Sequence, residues 1–97
     1  MTIIYARAAL DDIEAITDDI AQDNPTAADG VKDRIFREID QLVVHLGAGR
    51  AGRVGGTREL VIPPYIVAYQ VRGDAIEIIA VIDGRRGNIT SIIGSRL

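Results

Sequence analysis

Five arginines in the second half of the chain, Arg50, Arg53, Arg58, Arg85 and Arg86, carry side chains suited to gripping an anion, and Glu59 stands beside one of them. A guanidinium offers a rigid fork of donors that matches phosphate or carboxylate in a way an ammonium does not. Arg58 opens one predicted strand, and Arg85 and Arg86 follow the end of another. In a small antiparallel sheet the start of one strand can lie beside the end of its neighbour, so the two groups are expected to meet. Composition alone leaves two readings of this set: solubilising surface, or an anion-contacting patch. The charge distribution bears on the choice. Residues 1–45 carry ten acidic and four basic side chains, whereas residues 46–97 carry four acids and seven bases, all arginines, within a net charge of -3. That asymmetry points to an anionic partner for the second half.

The other candidates for chemistry are weaker. His45 is the single histidine and sits near a predicted helix end, where a cation favours the helix dipole. With no cysteine and no second histidine, it has no company for a metal site. Asp11, Asp12, Glu14, Asp18 and Asp19 form an acidic run, but neighbours in a helix do not face each other, so the run is read as a solvated face. Gly47-x-Gly49-x-x-Gly52 spells the dinucleotide fingerprint, which functions only after a strand and before a helix. Here the predicted order is the reverse. The segment is read as a flexible loop, and no cofactor is expected.

The elements that must position the arginines follow from hydrophobic period. Thr2 to Tyr5 is a short β-prone run, expected as an edge strand. From Arg7 to Asp23, Leu10, Ile13, Ile16 and Ile20 recur at helical spacing. Asn24-Pro25 ends that helix and starts the next, with Asn24 as cap and Pro25 in the first turn. The second helix is expected to reach Leu46 with an apolar stripe of Ala28, Val31, Ile35, Ile39, Leu42 and Leu46, widened by Phe36 and Val43. Gly47 would close it in the left-handed conformation. So short a link makes the pair an antiparallel helical hairpin.

Residues 47–56 are a glycine-rich connection. Arg58 to Ile62 and Tyr65 to Arg72 alternate as strands, bent at Pro63-Pro64, which withhold backbone donors. Arg72-Gly73-Asp74 is a turn. Ala75 to Asp83 is a last, central strand with Ile76, Ile78, Ala80 and Ile82 on one face and Glu77, Ile79, Val81 and Asp83 on the other. Ile89 to Leu97 is expected to be a partial helix or an extended tail. The fold class is α+β: an N-terminal strand and a helical hairpin packed on one face of a small antiparallel sheet.

Ninety-seven residues make one domain, 1–97, with room for one aliphatic core. The absence of cysteine excludes a disulfide framework and a thiolate site. Neither a signal peptide nor a membrane span is evident, so the chain is expected to be soluble and cytoplasmic.

The sequence of these features is itself informative. A strand, an acidic helix, Asn24-Pro25, a second helix, Gly49-Arg50 with Gly52-Arg53, Gly56-Thr57-Arg58-Glu59-Leu60-Val61, Tyr65-Ile66-Val67-Ala68-Tyr69 and a last strand ending in Asp83-Gly84-Arg85 together resemble the RelE/ParE toxin family of bacterial toxin-antitoxin modules. The resemblance spans nearly the whole chain. It implies a small toxin neutralised by an antitoxin whose mostly extended segment wraps the toxin's helices and sheet. It also implies one of two targets: RelE-type members cleave messenger RNA in the ribosomal A site, and ParE-type members poison DNA gyrase. Cleavage needs a base, an acid and cations at the phosphorane. This chain has Ile66 where some cleaving members carry arginine, and neither His nor Tyr at the end of its last strand. The resemblance therefore favours the ParE-like branch, with Arg50, Arg53, Arg58, Arg85 and Arg86 as target contacts. The alternatives are a ribosome-dependent endonuclease using Glu59, Arg58 and Arg85, and a non-toxic module that titrates antitoxin.

Overall fold

The computed structural model describes residues 1–97. Its elements are β1 (Thr2–Tyr5), α1 (Arg7–Ala21), α2 (Pro25–Asp40), β2 (Arg50–Ala51), β3 (Arg58–Ile62), β4 (Tyr65–Arg72), β5 (Ala75–Asp83) and α3 (Ile89–Ser95). The five strands form one sheet in the order β1-β5-β4-β3-β2. β3, β4 and β5 are an antiparallel meander, while β1 joins the edge of β5 in parallel. No helix is long and apolar enough to cross a membrane.

Local chemistry sets most of these boundaries. Asn24 accepts a hydrogen bond from Ala27 N–H at 3.0 Å and Pro25 takes the first helical position, so the hinge between the helices is a capped start. Pro63-Pro64 forms the β3–β4 bend, and the peptide bond between them is cis. Gly73, at φ 56°, supplies the first position of the β4–β5 turn, which side-chain-bearing residues avoid.

The helical hairpin covers one face of the sheet around Ile13, Ile35, Ile39, Leu42, Ile62, Val67, Tyr69, Ile76 and Ile78. α3 covers part of the other, over Ile66, Ala68, Ile79, Ala80 and Ile82, with Ile89 and Ile93 inserted. The segment expected as a tail or partial helix is thus a helix with its own small core.

Four sequence expectations need correction. In α1 the buried line is Ala9, Ile13 and Thr17, and Leu10 is rotated to the exposed rim. α2 stops at Asp40 instead of reaching Leu46, because a 3-10 turn over Gln41–Val43 stacks Leu42 beneath Ile39 at three-residue spacing. That turn buries Leu42 and leaves Val43 outside. Gly47 accordingly closes no helix, and the left-handed glycines are Gly56 and Gly73. The faces of β5 do not alternate throughout. The pairing runs Ala68 with Ala80 but Tyr69 with Ile78, so Ile79 is an extra residue and Val81, not Ala80, returns to the helical-hairpin face.

The bulge is supported from outside the sheet. β1 ends opposite Ile78, so the next backbone groups on that edge of β5 have no strand partner. Asp12 of α1 accepts from Val81 N–H at 2.9 Å, and Arg96, just past α3, donates to Ile79 O at 3.1 Å. Arg96 also grips Asp12 in a bidentate pair at 2.5 and 2.9 Å. Asp12 is therefore no part of the solvated acidic face; it ties α1, the bulge and α3 together.

Candidate functional site

β3 carries Arg58 and Glu59 on opposite faces of the sheet. Glu59 pairs with Ala68, on the α3 side, and its side chain is only 1% exposed. A carboxylate in that position needs partners. Arg53 supplies three donors: its backbone N–H at 2.9 Å and Nε at 3.0 Å to Oε2, and Nη2 at 2.9 Å to Oε1. Arg50 Nη2 approaches Oε1 at 3.5 Å, a long contact from a side chain that is 59% exposed. The hydrogen bonds from Arg53 hold the Glu59 carboxyl below its ordinary pKa in spite of burial, so it is an anion at neutral pH.

The connection from Gly49 to Thr57 is built around this carboxylate and is not the flexible loop its composition suggests. A Cβ on Gly49 would overlap the Tyr69 ring, with Cζ at 2.7 Å, and one on Gly52 would meet Thr57 O at 2.7 Å. These glycines permit close approach, so their use is steric. Gly52 N–H donates to Thr57 O at 2.8 Å, and the buried Thr57 hydroxyl donates to Val54 O at 2.6 Å. Arg58 reaches back on the other face and donates from Nη2 to Gly49 O, while its Nε is buried without an acceptor.

Arg85 and Arg86 lie elsewhere. β3 and β5 flank β4 and so run parallel to each other: the row through Arg58 passes Tyr69 to Ile78, and the row through Ile62 passes Tyr65 to Asp83. Four residues of strand, about 13 Å, separate the rows. The expected meeting of Arg58 with Arg85 and Arg86 does not occur, because two antiparallel steps restore the original direction. Arg85 instead folds onto Asp83, with its backbone N–H and Nε at 2.9 Å from Oδ1 and Nη2 at 2.5 Å from Oδ2. That pair pulls the Asp83 pKa down to about 2. Arg86 is exposed, and its backbone N–H donates to Asp83 O at 3.1 Å. A groove of about 450 Å³ beside this pair is lined by Ala15, Ile16, Asp19, Ile20 and Tyr65.

Other proton carriers are poorly placed. Burial, then Asp83, raises the Tyr65 pKa, and burial with Asp40 pushes Tyr5 up to about 12. His45 lies in the connection between two 3-10 turns, outside the sheet. No group of three or more His, Cys, Asp or Glu side chains is arranged to hold a metal ion. Sequence reasoning misread Asp12 as solvated and Gly49 and Gly52 as flexible, and missed Arg96; of these, only Asp12 carried a local signal, as an acid beside the buried line of α1.

Known proteins resemble this chain in sequence and fold. The family model of the ParE toxin of the type II toxin-antitoxin system, parDE, matches residues 3–87. A protein of Sinorhizobium fredii, "Putative toxin Y4kP", is 40% identical over 80 residues, covering 80% of this chain and 79% of its own. Toxin RelE2 of Caulobacter vibrioides is 29% identical over 79 residues, 81% of this chain and 90% of that one. Among solved structures, a chain of the chromosomal ParDE TA system from P. aeruginosa superposes with a TM-score of 0.78 at 28% identity, covering 86% of this chain and 95% of that chain. With the same fold and a match over most of its length, the chain belongs to the ParE toxin family of type II toxin-antitoxin systems, within the wider RelE/ParE group.

Proposed function

We propose that residues 1–97 act as one toxin domain that poisons DNA gyrase in the cytoplasm through surface contacts, and that a cognate antitoxin neutralises it. The family supplies the antitoxin. The observation that carries the gyrase reading is the commitment of both carboxylates that accompany the arginines. Glu59 is gripped by Arg53 and Asp83 by Arg85, each with a lowered pKa. A general base for RNA cleavage needs a free lone pair and a pKa nearer neutrality. Arginine cannot replace it, since it does not deprotonate in proteins. What remains is contact chemistry, with Arg50, Arg53 and Arg58 at one end of the sheet and Arg85 and Arg86 at the other.

The test incubates the purified protein with gyrase, ATP and supercoiled plasmid, followed by detergent and protease. Linear DNA that appears only with gyrase is the expected result; its absence, from protein that binds antitoxin, would overturn the reading. The likeness to Toxin RelE2 favours a second reading, ribosome-dependent RNA cleavage through Glu59, Arg58 and Arg85. It predicts codon-positioned cuts and rapid loss of translation in place of DNA damage and filamentation. The separation of Arg58 from Arg85 weighs against it, since both would have to reach one phosphate.

A further inference from the structure

The side of the sheet that α3 only partly covers carries a row of arginines that runs past Arg50 and Arg53 to Arg72, a residue the toxin reading leaves without a role. Arg50 and Arg53 converge on Glu59 there, two positive charges on one negative. Arg53 is anchored by three donors, so the loop that carries both residues is fixed. Arg50 makes only the long 3.5 Å contact and keeps most of its donors free. Farther along β4 on the same face, Gln70 takes a hydrogen bond from Arg72 at 3.1 Å. Arg72 is four residues beyond Ala68, the partner of Glu59, which extends the row by about 13 Å. Besides Glu59, the one acid on the strands of this face is Glu77, opposite Gln70. The acidic outer surface of α1 is on the other side of the sheet.

We propose that the loop of residues 49–57 and the adjoining part of β4 form a preorganised contact for the phosphodiester backbone of duplex DNA, in which Arg50, Arg53 and Arg72 touch phosphates and Glu59 is the positioning residue. The choice of DNA rests on the gyrase reading, because gyrase presents duplex DNA to whatever docks on it. The geometry favours a polymer of anions over a single acidic side chain. Cations spread over about 13 Å match several phosphates, which follow one another every 3.4 Å or so of helix axis along each strand. Glu59 adds direction: by gripping Arg53 it fixes the loop that also carries Arg50 before the ligand arrives.

Fluorescence anisotropy of a labelled 20-base-pair duplex with the purified full chain, without gyrase, tests this across a salt series. Three phosphate contacts predict that a fourfold rise in salt weakens binding about 40-fold. Arg50→Gln and Arg72→Gln, both at exposed positions, should each reduce the slope of log affinity against log salt by about one. Glu59→Gln is the decisive variant, since it raises the net charge of the patch. A patch acting by charge alone would bind DNA more tightly, whereas loss of the positioning carboxylate weakens binding with every arginine still present. Unchanged slopes in Arg50→Gln and Arg72→Gln would overturn the proposal without depending on how Glu59→Gln folds. So would displacement of DNA by an acidic peptide of equal charge as readily as by unlabelled DNA. Gyrase-dependent cleavage with no DNA binding by the free chain would overturn this inference and leave the gyrase reading standing. DNA binding that follows the predicted slopes, without gyrase-dependent cleavage, would support the contact and sink that reading.

Discussion

Two arginine–carboxylate pairs stand at opposite ends of the sheet and are almost the same object in hydrogen-bond terms. In Arg53–Glu59 and in Arg85–Asp83, Nε and Nη2 of one guanidinium hold the two oxygens of one carboxylate, and the backbone N–H of the same arginine adds a third bond. Their settings differ. The Glu59 side chain is 1% exposed and joined to a residue six positions earlier, across the connection between β2 and β3. The Asp83 side chain is 28% exposed and its partner, two positions later, is 78% exposed. Equal geometry therefore does not mean equal consequence. A buried pair that closes a loop makes the loop dependent on it, whereas an exposed pair within one turn is screened and replaceable by water.

Breaking the buried pair is the strongest way to test that contrast. Glu59→Ala strands the Arg53 guanidinium and removes the acceptor for Arg53 N–H; a loss of about 3 kcal/mol is expected, which for a chain of this size lowers the thermal midpoint by roughly 12–24 °C. Urea melts of Glu59→Ala, Arg53→Ala and the double variant would show whether the cost is that of an uncompensated charge. If so, the double variant is less than additive, because neither charge remains to be stranded. Additive losses would mean the two residues act independently.

The Asp12–Arg96 pair falls between the extremes in exposure, at 18% and 24%, and holds elements 84 residues apart. Asp12→Ala should cost less than Glu59→Ala, about 2 kcal/mol, because α3 can still bury Ile89 and Ile93. The distinctive readout is local: hydrogen exchange should quicken at Val81 and in α3, and leave α2 protected. Uniform acceleration would mean that Asp12 supports the whole fold and not this junction.

Acid separates the first two pairs without mutation. Both carboxyls are depressed by their arginines, so any stability they contribute is present above the unfolded carboxyl pKa and is lost as pH falls through the folded one. For Glu59 that window opens below its ordinary value of 4.5, and protonation there should loosen residues 49–57. Asp83 should stay ionised down to about 2, yet its titration should leave the loop resonances of the other end untouched. Joint movement of both regions in a pH series monitored by NMR would contradict their independence.

The sequence made the strands legible because alternation in Arg58 to Ile62 and Tyr65 to Arg72 is a local property, and it made the α1–α2 hinge legible through Asn24 and Pro25. It named every residue of both arginine–carboxylate pairs. What it could not convey was their relation. The separation of Arg58 from Arg85 follows from strand order, and the β5 bulge depends on Asp12 and Arg96 arriving from opposite ends of the chain. Gly49 and Gly52 misled for a similar reason. Glycine permits freedom and permits contact, and only Tyr69 and Thr57, placed by the sheet, decide which.

The smallest effect on stability is the one that isolates Arg85. Asp83→Asn keeps the shape of the turn and can still accept from Arg85 N–H, while removing the charge that holds the guanidinium. Since the pair is exposed, thermal melts should be indistinguishable from those of the parent. The guanidinium is released toward the groove lined by Ile16, Ile20 and Tyr65 or outward to solvent, and in either case is freer to meet an incoming anion. If Arg85 contacts the target, gyrase-dependent cleavage should rise in Asp83→Asn and fall in Arg85→Ala, at constant stability. Equal activity in both variants would restrict the working surface to the Glu59 end of the sheet, and the exposed pair would then serve its turn alone.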